Sequence, residues 1–233
     1  MVITSTIFTI TECFEGRYIL TRMINYYKLS KQFKIMDNST TWHETGHAVF
    51  ASIFKDYLEI KMVTILHGEY GIGANLISTK KAVENTQDYF HLVIVNLAGI
   101  VVDYLKDKRT DVKAMYSLVK YITNRLKPEV AIVDSFDGDL KNMQEPLDIL
   151  SKKLNRTKEK IVCSALVYFA NCLFRCEEFW PAIDAVATQL EKLKTLTTIE
   201  IDTILNQIGF NQFLIDNRIA FYNESIRLMV EDD

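Results

Sequence analysis

The sequence predicts a mainly α (α+β) protein, a helical domain with one small β-hairpin or sheet, and three observations carry that expectation. Glycine and proline are scarce, 8 and 3 in 233 residues, which leaves few points where a helix must break. From Glu84 onward, apolar residues recur at the helical period almost without interruption. Only the stretch 60–77 differs, with two extended runs flanking His67-Gly68-Glu69-Tyr70-Gly71. A hydrophobic content of 48% is ample for one core. No repeat or linker divides the chain, so residues 39–233 read as one domain and residues 1–38 as an N-terminal extension.

Taken in order, the extension holds a β-like piece, Ile3 to Phe8, and a tyrosine-rich helical piece, Ile19 to Leu29. A helix follows over 39–56. Thr41 and Glu44 have the spacing of a capping box, and Val49, Ile53 and Phe54 continue an apolar face toward Tyr57. Ile60 to Leu66 is a strand by its β-branched content, and Ile72 to Ile77 returns as its hairpin partner. Helices are then predicted at 84–105, 111–125, 138–153, 158–176, 180–194, 198–207 and 211–229, with breaks near Lys127-Pro128 and Asn155.

The formal net charge is −3, and basic residues are interspersed with acidic ones rather than gathered in a stripe, so nucleic acid is not expected as a partner. The apolar run Leu92 to Leu105 is short for a membrane span and contains Asn96 and Asp103, which predicts a buried helix. The apolar first ten residues lack a basic start and lead at once into Glu12, Glu15 and Arg17, which is not the pattern of a signal peptide. A cytoplasmic protein with no membrane partner is the expectation. The cysteines, Cys13, Cys163, Cys172 and Cys176, form no CxxC pair. Cys172 and Cys176 would share a helical face, where small buried apolar residues are expected ahead of a metal or redox pair.

Chemistry concentrates in Thr41-Trp42-His43-Glu44-Thr45-Gly46-His47. Histidines four apart project from one helix face, so both imidazoles can converge on a zinc ion while the glutamate between them holds a water. Chance supplies roughly 0.003 such motifs in a chain of this composition. The plainer alternative makes His43 a capping residue, His47 a packed one and Glu44 an ordinary cap partner. Gly46 argues against it, because a glycine inside a helix costs ~1 kcal/mol relative to alanine and, with Ala48 close by, suggests a closely packed neighbour. A hydrolytic zinc needs a third protein ligand and an open position. His67, His91 and the cluster Asp134, Asp137 and Asp139 are all available for that place.

Several segments, in order, resemble the peptidase domain of the FtsH-type ATP-dependent zinc metalloproteases. His43-Glu44-Thr45-Gly46-His47-Ala48 is similar to the family's HEAGHA. Met62 to Leu66 with Gly71-Ile72-Gly73 resembles its KVTI strand and return, and Leu97-Ala98-Gly99-Ile100-Val101-Val102-Asp103 resembles LAGRVAE. Gly138 to Asn142 resembles SNDL-x-x-A, and Leu190 to Leu205 resembles the closing helices.

The resemblance implies a zinc endopeptidase with His43, His47 and Asp139 as ligands, Asp137 as the alternative third ligand, and Glu44 as general base. It further implies Asp103 as an outer partner of a ligand histidine, and Val63, Thr64 and Ile65 as an edge along which a polypeptide substrate pairs. The family's GxxxxGK[ST] phosphate loop has no counterpart in these 233 residues. The implied substrates are therefore flexible or unfolded chains, or chains delivered by a separate unfoldase or through homo-oligomeric assembly. A second expectation is a catalytically silent module that keeps the fold for binding or regulation.

Overall fold

The computed structural model describes residues 39–68, 71–126 and 137–230. The extension 1–38 with both its predicted pieces and Cys13, the tip of the hairpin, the Lys127-Pro128 break and Asp134 lie outside these residues, as do the side chains of His67 and Asp137. Among the described residues there are eight helices and one three-stranded antiparallel sheet, so the mainly α (α+β) expectation holds.

Helix α1 (Ser39–Ile53) is the centre of the arrangement, buried on all sides from His43 to Phe54. It starts at Ser39, so Thr41 lies inside the helix and the expected Thr41–Glu44 capping box is not formed; the Glu44 side chain turns instead to a neighbouring strand. A tight turn through Phe54 and Tyr57 ends the helix three residues earlier than predicted and feeds strand β1 (Leu58–Gly68). Strand β2 (Gly71–Thr79) returns antiparallel, with irregular register near Lys61 and Ile65.

Helix α2 (Thr86–Leu105) begins with a capping box in which Asn85 accepts from the Asp88 amide and the Asp88 carboxylate accepts from the Asn85 amide. Its 20 residues are long and apolar enough to cross a membrane, more than the apolar run alone suggested, but 72% of its apolar window is buried inside the protein. It is the core helix that the pattern predicted. Helices α3 (Val112–Arg125), α4 (Asp137–Leu154), α5 (Lys158–Arg175) and α6 (Phe179–Leu193) follow within two residues of their predicted bounds.

The element absent from the sequence reading is strand β3 (Thr195–Thr197). Lys194 takes a left-handed conformation, φ 66°, which reverses the chain after α6 and lays these residues beside β1, with Val63 opposite Leu196. Helix α7 (Thr198–Gln207) opens with a Thr197–Glu200 capping box, and α8 (Phe210–Val230) closes the described chain. Buried Arg156 donates to the carbonyls of Leu228 and Met229, where a cation meets the negative end of α8.

The core gathers on α1. Phe50 packs edge-on to Phe169 at 4.6 Å, and Phe54 stacks on His91 at 4.0 Å. Both phenylalanines are fully buried, and each such side chain stabilises the fold by about 1.5–3 kcal/mol. Cys172 is buried in the core and Cys176 half-buried, both with free thiols, so the reading as small buried apolar residues fits Cys172 fully and Cys176 in part.

The tightest approach joins α1 to α2. A Cβ at Gly46 would stand 2.5 Å from the Ala98 carbonyl oxygen and 2.9 Å from its carbon, and backbone cannot yield as a side chain can. Gly46→Ala should therefore lower stability by about 1–3 kcal/mol despite alanine's better helix propensity. Denaturant unfolding of the two proteins measures the difference, and an unchanged or raised midpoint would contradict this packing.

Candidate metal centre

His43 and His47 stand one turn apart on the buried face of α1 with their Nε2 atoms 3.1 Å apart. The third group comes from the far side of the chain. Asp139 lies in the first turn of α4, where the helix dipole favours a carboxylate, and its Oδ2 sits 2.8 Å from His43 Nε2 and 3.1 Å from His47 Nε2. His43, His47 and Asp139 thus form a group that could hold a metal ion.

The ring orientations have identifiable causes. His47 Nδ1 lies 2.7 Å from the Val95 carbonyl on α2; a carbonyl only accepts, so Nδ1 carries the proton and Nε2 faces the site. Beneath both rings is Gly99. A Cβ there would lie 2.8 Å from His43 Nε2 and closer still to His47 Nε2, so the imidazoles occupy the space that a side chain would take.

Glu44 is buried beside the ligands, 6% exposed. Asn75 on β2 donates through Nδ2 to the Glu44 Oε2 at 2.6 Å and to the Glu44 backbone carbonyl at 2.7 Å. Burial raises the Glu44 carboxyl above its ordinary value, opposed by His47, His43 and the Asn75 hydrogen bond. Burial alone would depress His47, but the Asp139 carboxylate outweighs it and lifts the imidazole to about 9. Burial likewise works against ionised Asp139, and the two histidines overcome it, holding the carboxyl well below the usual range.

The remaining expectations fare unevenly. His91 is not at the site: it is buried in α2, its Nε2 3.2 Å from Ser225 Oγ, and burial pushes it down to about 3. Asp103 lies one turn beyond Gly99 on α2 and is held 2.8 Å from the Lys106 ammonium. At His47 the outer partner expected of it is the Val95 carbonyl instead. Val63, Thr64 and Ile65 are not an edge. The sheet order is β2-β1-β3, Val63 and Thr64 pair on both sides, and the Ile65 amide donates to the Lys194 carbonyl. The left-handed turn at Lys194 is what closes that side.

Sequence reasoning missed Asn75, whose signal was a lone amide among the apolar residues of a strand. It also missed Arg109, which makes a two-pronged ion pair with Asp184 and lies 4.5 Å from the Trp180 ring and 5.4 Å from the Trp42 ring, next to His43. No family model and no curated protein matches this sequence, so the site is read from its own geometry.

Because the His47 shift is upward and the Asp139 shift downward, the His47–Asp139 ion pair stabilises the metal-free protein fully between the ordinary carboxylate range and about pH 6.5. That contribution is lost as pH rises through about 9. A metal must displace the same proton. Metal uptake at pH 7 should release about one proton, and apparent affinity should climb about tenfold per pH unit toward pH 9. Calorimetry in two buffers of different protonation enthalpy measures this; an uptake with no proton release would contradict it. Gly99→Ala should abolish metal binding while the helical circular dichroism persists.

Proposed function

We propose that the chain is a zinc-dependent endopeptidase acting on flexible or unfolded polypeptides, as its resemblance to FtsH-type peptidase domains implies. The observation that carries this reading is the convergence of two imidazole nitrogens and one carboxylate oxygen, 2.8–3.1 Å apart, with a buried glutamate between the histidines. Three protein ligands of this kind, with a place left for water, are the donor set of catalytic zinc, in whose tetrahedral shell neighbouring donors stand roughly 3.3 Å apart.

His43, His47 and Asp139 would hold the ion. Zinc bound there supplies Lewis-acid activation of a water and polarisation of the scissile carbonyl. Glu44 takes the water's proton and delivers it to the leaving amine as the peptide bond breaks. In the metal-free site burial raises the Glu44 carboxyl above its ordinary value, the direction that makes a carboxylate a stronger base. The Val95 carbonyl accepts from His47 Nδ1–H and so orients the ring with Nε2 toward the site.

A peptide reaching this site would run along β2, one of the two outer strands of the sheet among the described residues and the one that touches Glu44. Pairing through backbone alone suits extended chains of varied sequence. These 233 residues contain no phosphate loop, so on this reading the site itself acts on chains that are already extended.

Cleavage of an unstructured protein such as casein tests the reading. The zinc-loaded chain should cleave it, a chelator should stop cleavage, and added zinc should restore it. Glu44→Gln should keep about one zinc per chain and lower the rate by at least ~100-fold, whereas His47→Ala should lose zinc and activity together. Full zinc loading with no cleavage would favour a binding or regulatory module, and cleavage unaffected by Glu44→Gln would remove Glu44 as the base.

A further inference from the structure

The strand residue Asn75 has a feature that packing does not explain. It lies half-buried opposite Val63, in a position where a strand ordinarily carries an apolar or β-branched side chain. It spends its amide nitrogen on a single residue of another element, Glu44, through the carboxylate Oε2 at 2.6 Å and the backbone carbonyl at 2.7 Å. Both partners are acceptors, so the nitrogen end of the amide must face them. The opposite end gains nothing: Asn75 Oδ1 is buried and has no hydrogen-bond partner among the described residues, an unfavourable state for a buried polar atom. The Glu44 carbonyl, for its part, sits inside α1 and has a ladder donor of its own. Neither the strand nor the helix requires this side chain for its own hydrogen bonding.

We infer that Asn75 is a positioning residue for the general base, fixing the Glu44 carboxylate so that Oε2 is occupied and Oε1 alone is left to receive a proton. The inference rests on the peptidase reading for its kinetic consequence. The last torsion of a glutamate is broad, and burial does not by itself choose which oxygen faces the ligands. The Asn75 bond does. It also ties the base to β2, an outer strand of the sheet, so that Glu44 and a peptide paired along β2 share one frame.

The test compares zinc-loaded wild type with Asn75→Ala, the isosteric Asn75→Asp, which keeps the shape and loses the donor, and Asn75→Gln, which keeps a donor on a longer arm. Hydrolysis of an unstructured peptide should show kcat lowered about tenfold or more in the Ala and Asp variants, with KM changed less than about threefold and zinc content near that of wild type. Asn75→Gln should recover part of the loss. Crystal structures of the zinc-loaded proteins should show one Glu44 carboxylate orientation in wild type and more than one in Asn75→Ala. Unchanged kcat would overturn the inference, as would a loss of rate that follows loss of zinc. If zinc-loaded wild type cleaves no peptide, the peptidase reading fails on its own. Glu44 orientation then decides about Asn75, and an unaltered carboxylate in Asn75→Ala and Asn75→Asp overturns its positioning role.

Discussion

The contact on which the molecule depends is the backbone-to-backbone packing of α1 on α2. Gly46 lets α1 settle against the Ala98 carbonyl, and Gly99 opens space on α2 that the two imidazoles fill. One glycine brings the helices together and the other accommodates what they bring. The same approach puts the Val95 carbonyl within 2.7 Å of His47 Nδ1. Helix packing therefore sets ring orientation directly, with no intervening side chain. Phe50 on α1 and Phe54 just beyond its end fill aromatic clusters, Phe50 against Phe169 and Phe54 against His91 of α2.

Electrostatics at the site follow from how little water reaches it. An ionised Asp139 in such a place needs positive charge beside it, and the first turn of α4 supplies only a partial one. A proton on His47 or a cation among the three ligands completes the balance. These two states exclude one another, because the nitrogen that takes the proton is the one that faces the ligands. Asp139 links the histidine helix to α4, which itself packs on α2.

Much of this was legible in the sequence. Helical periodicity located the helices well because most bury one continuous face, and the histidine spacing picked out two members of the group that could hold a metal ion because i and i+4 lie on one face of any helix. Asp139 was not legible from spacing: three aspartates lie close together, and the resemblance, not the pattern, singled out the one that the structure brings to the histidines. Strand β3 was invisible because three residues are too few to display a period and because its placement depends on a left-handed lysine, a conformation that sequence seldom announces. Missing it led to the mistaken edge at Val63, Thr64 and Ile65. The Thr41–Glu44 cap failed for a different reason. Local spacing suggested a partner, but Thr41 lies inside the helix and the Glu44 carboxylate accepts from Asn75, remote in sequence.

The chain contains two tryptophans, and Arg109 lies against both while held by Asp184. Trp42 directly precedes the first histidine of the site, and Trp180 lies in the first turn of α6. The protein's indole emission thus originates wholly beside one guanidinium at the entry to the histidine helix. The molecule carries a built-in optical reporter of that junction, sensitive to the seating of the helix that bears His43 and His47 and requiring no label.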